Sequence, residues 1–437
     1  MTYLHNELME GQQLLPLSSG TVIDKGKAKI GIRGQDNTGI TLHADLLARH
    51  ILTIGAIGSG KTNTMNHIVG AVRKTMSEND VMVVFDAKGD YLKEFYRTGD
   101  IVISNDSDLP TGGGNWNIYR DILVTPKEKR EETIREIASS LFKEDIEKSQ
   151  APVFGMGARD IFAAILSIHV QQMEDGIKSW DHEQLLEFMK STTETDLRNM
   201  FLKSPEFKWV RNYIKKDGGS TTQSFIVHLY QTIYKIFSGS FAKAGNFSIR
   251  EAVTNKEGKA IFLEYDLANG NILEPIYTVL LDLAMKEVLG RTRTEGNVYF
   301  VLDEFPLIPK LNYMDNALNF GRSLGVKVIA GIQNVGQVEN KYGHYLAHSI
   351  LSGFGTIFTF RLFDSNSRSF FAQRHGNVKR KVSFLSSNSN KGVQDQIVDG
   401  NVIEDWDIVN LGIGECVVSL PQGEPFLFYP ILYQSYS

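Results

Sequence analysis

The octapeptide GAIGSGKT at residues 55–62 restricts the possible folds of this chain more than any other stretch. An apolar run of strand type, Ile51 to Ile54, precedes it, and KTNTMNHIVGAVRKTM, with apolar residues at helical spacing, follows. Glycines at these positions let backbone N–H groups turn inward around a phosphate, and a helix N-terminus favours negative charge. The pattern therefore predicts a nucleotide-binding loop between a strand and a helix of an α/β sheet.

Every residue of this loop is a predicted nucleotide contact, namely Gly55, Ala56, Ile57, Gly58, Ser59, Gly60, Lys61 and Thr62. Lys61 is expected to reach the β- and γ-phosphates of ATP, and Thr62 to hold Mg²⁺. The alternative is a glycine-rich turn that binds nothing. The strand and the helix on either side favour the nucleotide site.

A second apolar run, VYFVLDEF at residues 298–305, ends on the adjacent carboxylates Asp303 and Glu304. No Lys or Arg lies beside them in this stretch, so a metal ion, a ligand or a distant partner has to balance their charge. Beside a phosphate-binding loop, Asp303 is expected in the Mg²⁺ shell and Glu304 as the base that activates water. A strand end with solvated acids is the alternative. Both carboxylates together favour an ATPase over a slow switch.

Composition places the chain among globular proteins of a reducing compartment. It has 437 residues, of which 42% are hydrophobic, a single cysteine, Cys416, and a formal net charge of −5. That charge argues against a surface that is basic throughout, although a local basic channel stays possible. The apolar runs are read as too short and too interrupted to cross a bilayer, so we expect a cytoplasmic protein without a direct membrane span.

Strand and helix patterns alternate along two parts of the sequence and are separated by a helical part. VMVVFD, KAIFLEYDL, NVYFVLD, VKVIAGIQ and GTIFTFRL read as buried parallel strands, whereas no strand pattern occurs from about Pro126 to about Ala244. We predict a nucleotide-binding domain whose first part is residues 1–124, including β-rich segments at the N-terminus. An inserted all-α domain at 125–245 and the second part of the nucleotide-binding domain at 246–437 follow.

Two residues downstream of the paired carboxylates are candidates for the same site. Gln333 ends the strand pattern VKVIAGI, where a polar side chain points to the crevice above a parallel sheet and could sense the γ-phosphate. A turn-capping amide is the alternative. Arg322 lies on a predicted helix, and position alone favours a surface or ion-pair residue.

Taken together, HILTIGAIGSGKTNTM, VVFDAKGDY, GNWNIYRDI and the series LDEF, FGRSLG, AGIQNVGQ and YG resemble the coupling proteins of conjugation and type IV secretion. These proteins belong to the FtsK/HerA branch of P-loop motors. The resemblance implies a RecA-like core, hexameric rings and ATP sites between subunits. It runs from about Val22 to the C-terminus and is weakest before His50 and after about His375.

By this resemblance, Lys61 and Thr62 match the Walker A pair, and Asp303 and Glu304 match the Walker B pair. Gln333 falls on the glutamine that senses the γ-phosphate. Arg322 falls on the arginine that the family supplies to the neighbouring subunit's site. Family members usually begin with a membrane-spanning region, and none is found here, so any contact with the inner membrane is expected through partner proteins.

The resulting hypothesis is an ATP-driven DNA pump that acts with a relaxase or with secretion-channel proteins, preferring single-stranded DNA. One alternative is a double-stranded DNA translocase of the HerA type in repair or phage defence. The other is a nucleotide-dependent docking module for secretion substrates that hydrolyses little ATP.

Three further features carry weaker signals. Asp86 and Lys88 match a family turn whose role is open, and a structural strand-end turn is at least as plausible. His344 and His348 have the i, i+4 spacing of metal ligands, but the sequence shows no third ligand, which favours a surface or packing role. The basic run Lys379 to Lys381 could line a DNA channel, although a solvated loop is the commoner meaning.

Overall fold

A computed structural model describes residues 3–16, 31–35, 38–105, 115–215, 219–266, 270–291, 295–385 and 393–434. The chain divides into two compact units. The first, here called the P-loop unit, comprises Met1–Ser77, Tyr299–Leu307 and Met314–Ser437. The second, here called the helical unit, comprises Glu78–Val298 and Ile308–Tyr313.

The strands of the described residues have three to nine residues each. They are β1 (Tyr3–Glu10), β2 (Gly31–Arg33), β3 (Gly39–Thr41), β4 (Ile51–Ile54), β5 (Val81–Asp86), β6 (Ile101–Ile103), β7 (Ala260–Glu264), β8 (Val298–Leu302), β9 (Val326–Ile332), β10 (Thr356–Phe360), β11 (Asn377–Leu385), β12 (Val393–Asn401), β13 (Cys416–Ser419) and β14 (Phe426–Phe428).

The α-helices of the described residues vary widely in length. They are α1 (Ala44–Leu47), α2 (Lys61–Thr75), α3 (Asp90–Phe95), α4 (Ile118–Val124), α5 (Arg130–Glu147), α6 (Pro152–Glu174), α7 (His182–Ser191), α8 (Glu194–Lys203), α9 (Ser220–Ile236), α10 (Ile249–Asn255), α11 (Gly270–Leu289), α12 (Met314–Phe320), α13 (Val335–Tyr342), α14 (His344–Ser352), α15 (Ser365–Arg374) and α16 (Asp405–Val409).

In the P-loop unit, strands lie side by side in the order β14-β13-β10-β4-β9-β8. The strand before the phosphate loop, β4, pairs in parallel with β10 on one side and β9 on the other. Every residue of β4, β8 and β9 is buried. Strands that are apolar throughout are expected where helices cover both faces of a parallel sheet, and the predicted α/β fold is confirmed here.

The helical unit combines a parallel strand group with long helices. Its strands lie in the order β5-β7-β6. The described residues between 125 and 245 form helices and no strand, as the spacing of apolar residues predicts. The boundaries 125–245 themselves stay a prediction, and the compact unit that holds these helices also holds β5, β6 and β7.

One helix of the described residues is long and apolar enough to cross a membrane by length and composition, which corrects our reading that every apolar run is too short. It is α6, and 61% of its most apolar window is buried. Its packing against α5 and α9 buries one face, including Ile161, Phe162 and Ile165. The core helix of a globular protein has the same properties.

The basic run predicted in a loop lies instead in a three-stranded antiparallel sheet of order β1-β11-β12. Lys379 pairs with Glu10 at 3.1 Å, and Lys381 pairs with Asp395 at 2.8 Å. Each of these two charges thus has a local partner. The predicted β segments of the N-terminus appear as β2 and β3, while residues 17–30 lie outside the described residues.

Candidate functional site

The phosphate loop joins β4 to α2 in the P-loop unit. Gly60 caps the helix with φ of 116°, a left-handed value that a residue with a Cβ rarely adopts. Lys61, the first residue of α2, is 9% exposed. Its Nζ donates to the carbonyl oxygens of Gly55 and Ala56 at 2.7 and 3.1 Å. The loop therefore already folds around the ammonium group that is predicted to meet the phosphates.

Several features of this loop fit a nucleotide with Mg²⁺. The Ser59 hydroxyl is buried, and no hydrogen-bond partner for it occurs among the described residues. Thr62 is exposed in the first turn of α2, where its hydroxyl is accessible. A buried polar group that lacks a partner costs free energy unless a ligand supplies one. Phosphate oxygens are acceptors that would satisfy the hydroxyl and the loop N–H groups.

The predicted Walker B carboxylates follow β8 directly. Asp303 is 9% exposed and Glu304 is half-buried. Gln333, which follows the neighbouring strand β9, donates from Nε2 to Oε2 of Glu304 over 3.3 Å. Since β9 also pairs in parallel with β4, the loop, the carboxylates and the glutamine follow three adjacent strands at one edge. The structure thus brings Gln333 and Glu304 together.

The strand β9 approaches the Walker B residues closely at Gly331. A Cβ built at this position would lie 2.2 Å from the Asp303 carbonyl oxygen and 2.9 Å from its Oδ1. These distances leave no room for a side chain. Only glycine at position 331 leaves room for Asp303 in its observed position.

Arg322 lies apart from this contact, in a short 3₁₀ helix between α12 and β9. Its side chain is 50% exposed, and Nη2 donates to Oδ1 of Asp45 over 2.6 Å. This contact is the ion pair that position alone suggests. An exposed guanidinium is also what a site in another subunit would need, so its catalytic role stays a prediction.

A histidine that the sequence analysis overlooked holds the segment around Arg322. His50 Nε2 lies 3.1 Å from the Leu318 carbonyl oxygen, and Nδ1 accepts from the Val328 N–H at 3.0 Å. Burial lowers the pKa of His50 to about 4, so the ring is neutral at physiological pH. Since partners lie 268 and 278 positions away, no local pattern indicates this role.

Three exposed apolar side chains lie in the phosphate loop or in segments that are hydrogen-bonded to it. Ile57, Phe363 and Ile413 are 84%, 66% and 66% exposed. Backbone bonds place their segments at the loop: Ala56 donates to the Arg361 carbonyl, and Gly414 donates to the Ser59 carbonyl, both at 2.9 Å. We call these three side chains the apolar rim. Large exposed apolar groups close to one another are typical of surfaces that another protein covers.

Asp86, whose role the sequence left open, has a structural role. Its carboxylate accepts from the backbone N–H groups of Lys88, Tyr91 and Leu92 at 3.2, 2.8 and 2.9 Å. These bonds close the turn between β5 and α3. The neighbouring Glu264 is a buried carboxylate that the sequence analysis overlooked: burial and then the charge of Asp86 raise its pKa to about 8.

The structure places a third potential metal ligand, Glu339, beside the histidine pair, which local spacing did not show. Glu339 Oε1 lies 2.8 Å from His344 Nδ1 and 3.1 Å from His348 Nε2. The signal available in the sequence is an acidic residue just before the pair, which is too common a pattern to carry weight by itself.

A strand–loop–helix with Lys61, an adjacent strand that is followed by Gln333, and a next strand in the sheet that ends on two carboxylates together define a P-loop NTPase with a RecA-like core. Within that class, a family model described as the DNA-binding domain of type IV secretion-system coupling proteins matches residues 36–427. The chain belongs to this family, which confirms the predicted resemblance.

The coupling protein TraD of Escherichia coli (strain K12) is 23% identical over 444 residues, which are 98% of this chain and 59% of TraD. The chain thus spans about three-fifths of that curated relative. Similar solved structures include the unbound conjugative coupling protein TrwBdeltaN70, at 18% identity and a TM-score of 0.74, covering 98% of this chain and 94% of that one.

TrwB in complex with ADP and Mg²⁺ has 18% identity and a TM-score of 0.73, with 98% and 95% of the two chains covered. VirB4 of Thermoanaerobacter pseudethanolicus is more distant, at 14% identity and a TM-score of 0.56, with 94% and 98% covered. These similarities confirm the RecA-like α/β fold. The TrwB complex holds ADP and Mg²⁺, which supports the adenine nucleotide and the Mg²⁺ expected from the sequence.

Proposed function

We propose that this chain is an ATPase that moves DNA as a coupling protein in conjugation or type IV secretion, and that it hydrolyses ATP at subunit interfaces of a hexameric ring. The observation that carries the proposal is the contact between Gln333 and Glu304 at the strand edge that holds the phosphate loop. It joins the predicted sensor to the predicted base. A docking module that hydrolyses little ATP needs neither group.

Five residues of the chain have separate roles in the proposed hydrolysis of ATP. Lys61 binds the β- and γ-phosphates of ATP, while Thr62 and Asp303 hold Mg²⁺. Glu304 accepts a proton from the attacking water, and Gln333 orients Glu304 and reports the γ-phosphate. Mg²⁺, when bound, supplies positive charge that offsets charge developing on phosphate oxygens.

The proposed ring gives Arg322 and the apolar rim a common explanation. Arg322 is half exposed, and its only described ion pair is the exposed Asp45, which costs little to break. Ile57, Phe363 and Ile413 expose apolar surface at the mouth of the loop. A neighbouring subunit that covers the rim would bury this surface and bring in an arginine. Arg322 is the residue proposed to act there.

The proposed partners are DNA, with single strands favoured, and a relaxase or secretion-channel proteins. The family description supports DNA, and the name of the TraD relative supports a coupling role. We propose a cytoplasmic location, at the inner membrane through partner proteins.

The first test is steady-state ATP hydrolysis by the wild type and Glu304→Gln, without DNA, with single-stranded DNA and with duplex DNA. Loss of a general base should lower turnover by about 10²–10⁴-fold and leave ATP binding intact by calorimetry. Glu7→Gln, an exposed glutamate on β1, is the matched control and should behave like the wild type.

Strong stimulation by DNA that Glu304→Gln abolishes supports the proposal, and the preferred strand form separates the single-stranded from the double-stranded alternative. Slow hydrolysis that ignores both DNAs would favour the docking module instead.

A further inference from the structure

Three potential metal ligands meet where α13 turns into α14. Glu339 lies on α13, and His344 and His348 lie one turn apart on α14. The chain reverses between the helices at Gly343, where φ is 78°. One ligand atom from each of the three residues lies within 4.8 Å of the others. Their convergence depends on this turn and on helical spacing together.

The carboxylate of Glu339 is oriented from its far side. Asn366, in the first turn of α15, donates to Oε2 over 2.9 Å, which leaves Oε1 facing both imidazoles. The His348 ring also packs edge-on against Phe370 at 5.0 Å between centroids. Partners of this kind, which hold a ligand in place, are a regular feature of metal sites.

We propose that Glu339, His344 and His348 bind a divalent transition metal of the Zn²⁺ class. Two imidazoles and one carboxylate are a common ligand set for such a metal, with water in the fourth position. A hard ion such as Mg²⁺ prefers oxygen ligands and would not select two imidazoles. The Mg²⁺ of the nucleotide site is therefore a different ion at a different place.

The distances suit this assignment. Bonds of about 2.0–2.1 Å to a tetrahedral ion place ligand atoms roughly 3.3 Å apart, and the two Glu339 contacts measure 2.8 and 3.1 Å. Small side-chain rotations would therefore admit the ion. His344 is 66% exposed and His348 is 39% exposed, so solvent and metal can enter.

A bound ion would fasten the C-terminal end of α13 to α14. The opposite end of α13 is already held, because Val335 N–H donates to the Ser367 hydroxyl at 2.8 Å and Asn334 caps the helix. The metal would thus complete the fixation of the helix that begins two residues after Gln333. It would stabilise the folded chain by an amount that grows with the logarithm of the free metal concentration above the Kd.

The test is calorimetric titration of the untagged, full chain with Zn²⁺ in excess Mg²⁺ and without nucleotide, together with thermal unfolding over a zinc series. We expect one equivalent per chain and a melting temperature that rises with zinc concentration. Glu339→Gln and His348→Ala should each weaken binding by at least about 100-fold, since loss of an outer-shell partner alone costs about 10–100-fold.

His228→Ala is the matched control, since it removes a half-buried histidine of the helical unit outside the cluster. Unchanged zinc binding in this variant, with loss in the cluster variants, supports the site. Absence of stoichiometric binding to the wild type, or equal binding by all variants, would overturn it. Because no nucleotide or turnover is involved, the result is independent of the proposed ATPase.

Discussion

The hydrogen bond from Gln333 to Glu304 joins two side chains that follow different strands. An amide nitrogen carries two N–H donors, so Gln333 can hold Glu304 with one and leave the other for a phosphate oxygen. Lys61 meanwhile donates hydrogen bonds to the carbonyl oxygens of Gly55 and Ala56. At the scale of residues, the polar groups of the site are held in place by the protein itself.

The buried carboxylate of Glu264 gives a prediction at the same scale. Its pKa of about 8 exceeds the unfolded value, so its contribution to stability is fully present below about pH 4.5 and is lost as the pH rises through about 8. Glu264→Gln removes this dependence. The difference in free energy of unfolding, variant minus wild type, should be roughly 2–4 kcal/mol larger at pH 9 than at pH 5.

Urea unfolding of both proteins at the two pH values measures this difference, and the comparison cancels the other titrating groups. Equal differences at pH 5 and pH 9 would mean that the pKa of Glu264 is not raised in the folded protein.

At the scale of elements, the position of the Walker B residues depends on how closely β9 can approach them. Gly331 leaves the space that the Asp303 backbone occupies. The end of β8 therefore lies close to the end of β9. Parallel pairing of β9 with β4 places the phosphate loop at the same edge of the sheet. Strand spacing, rather than any one side chain, sets the geometry of the site.

Gly331→Ala should therefore cost about 1–3 kcal/mol of stability through overpacking and lower ATP turnover by moving Asp303. Gly336→Ala is the matched control, because its Cβ would meet only the Asn334 side chain at 3.4 Å and alanine favours the helix. Urea unfolding and ATPase assays compare the two variants. Similar behaviour of both would show that the close approach at Gly331 does not constrain Asp303.

At the scale of the whole molecule, one compact unit contains the phosphate loop, both carboxylates, Gln333 and Arg322. Arg322 nevertheless pairs with Asp45 on an exposed surface instead of joining the Gln333–Glu304 contact. A ring would resolve this separation, since the arginine could serve the site of a neighbouring copy.

Mixing two inactive variants tests that arrangement. Lys61→Ala and Arg322→Ala should each lower DNA-stimulated turnover by about 10³-fold or more. Mixed together, they should recover part of the activity, because some interfaces then combine an intact Lys61 with an intact Arg322. Recovery is measured against a mixture of Lys61→Ala and Glu304→Gln, whose defects lie in the same site. No recovery in the first mixture would mean that Arg322 acts in its own subunit or in folding.

Local patterns predicted much of the nucleotide site, because short-range physics dictates it. The glycines before Lys61 and the apolar run before Asp303 and Glu304 are signals within a few residues, and the structure has the corresponding strands and helix. The contact of Gln333 with Glu304 and the clamp of His50 on Leu318 join residues 29 and 268 positions apart. Such contacts leave no periodic trace in the sequence.

The sequence by itself determined the class of fold and indicated a nucleotide site, since loop glycines, buried strands and helical spacing act locally. Tertiary structure alone decided that Asp86 closes a turn, that Glu264 is buried beside it, and that Glu339 joins two histidines. The reason is that burial and the meeting of ligand atoms depend on chain reversals and strand order. The spacing of residues along the chain indicates neither burial nor the meeting of ligand atoms.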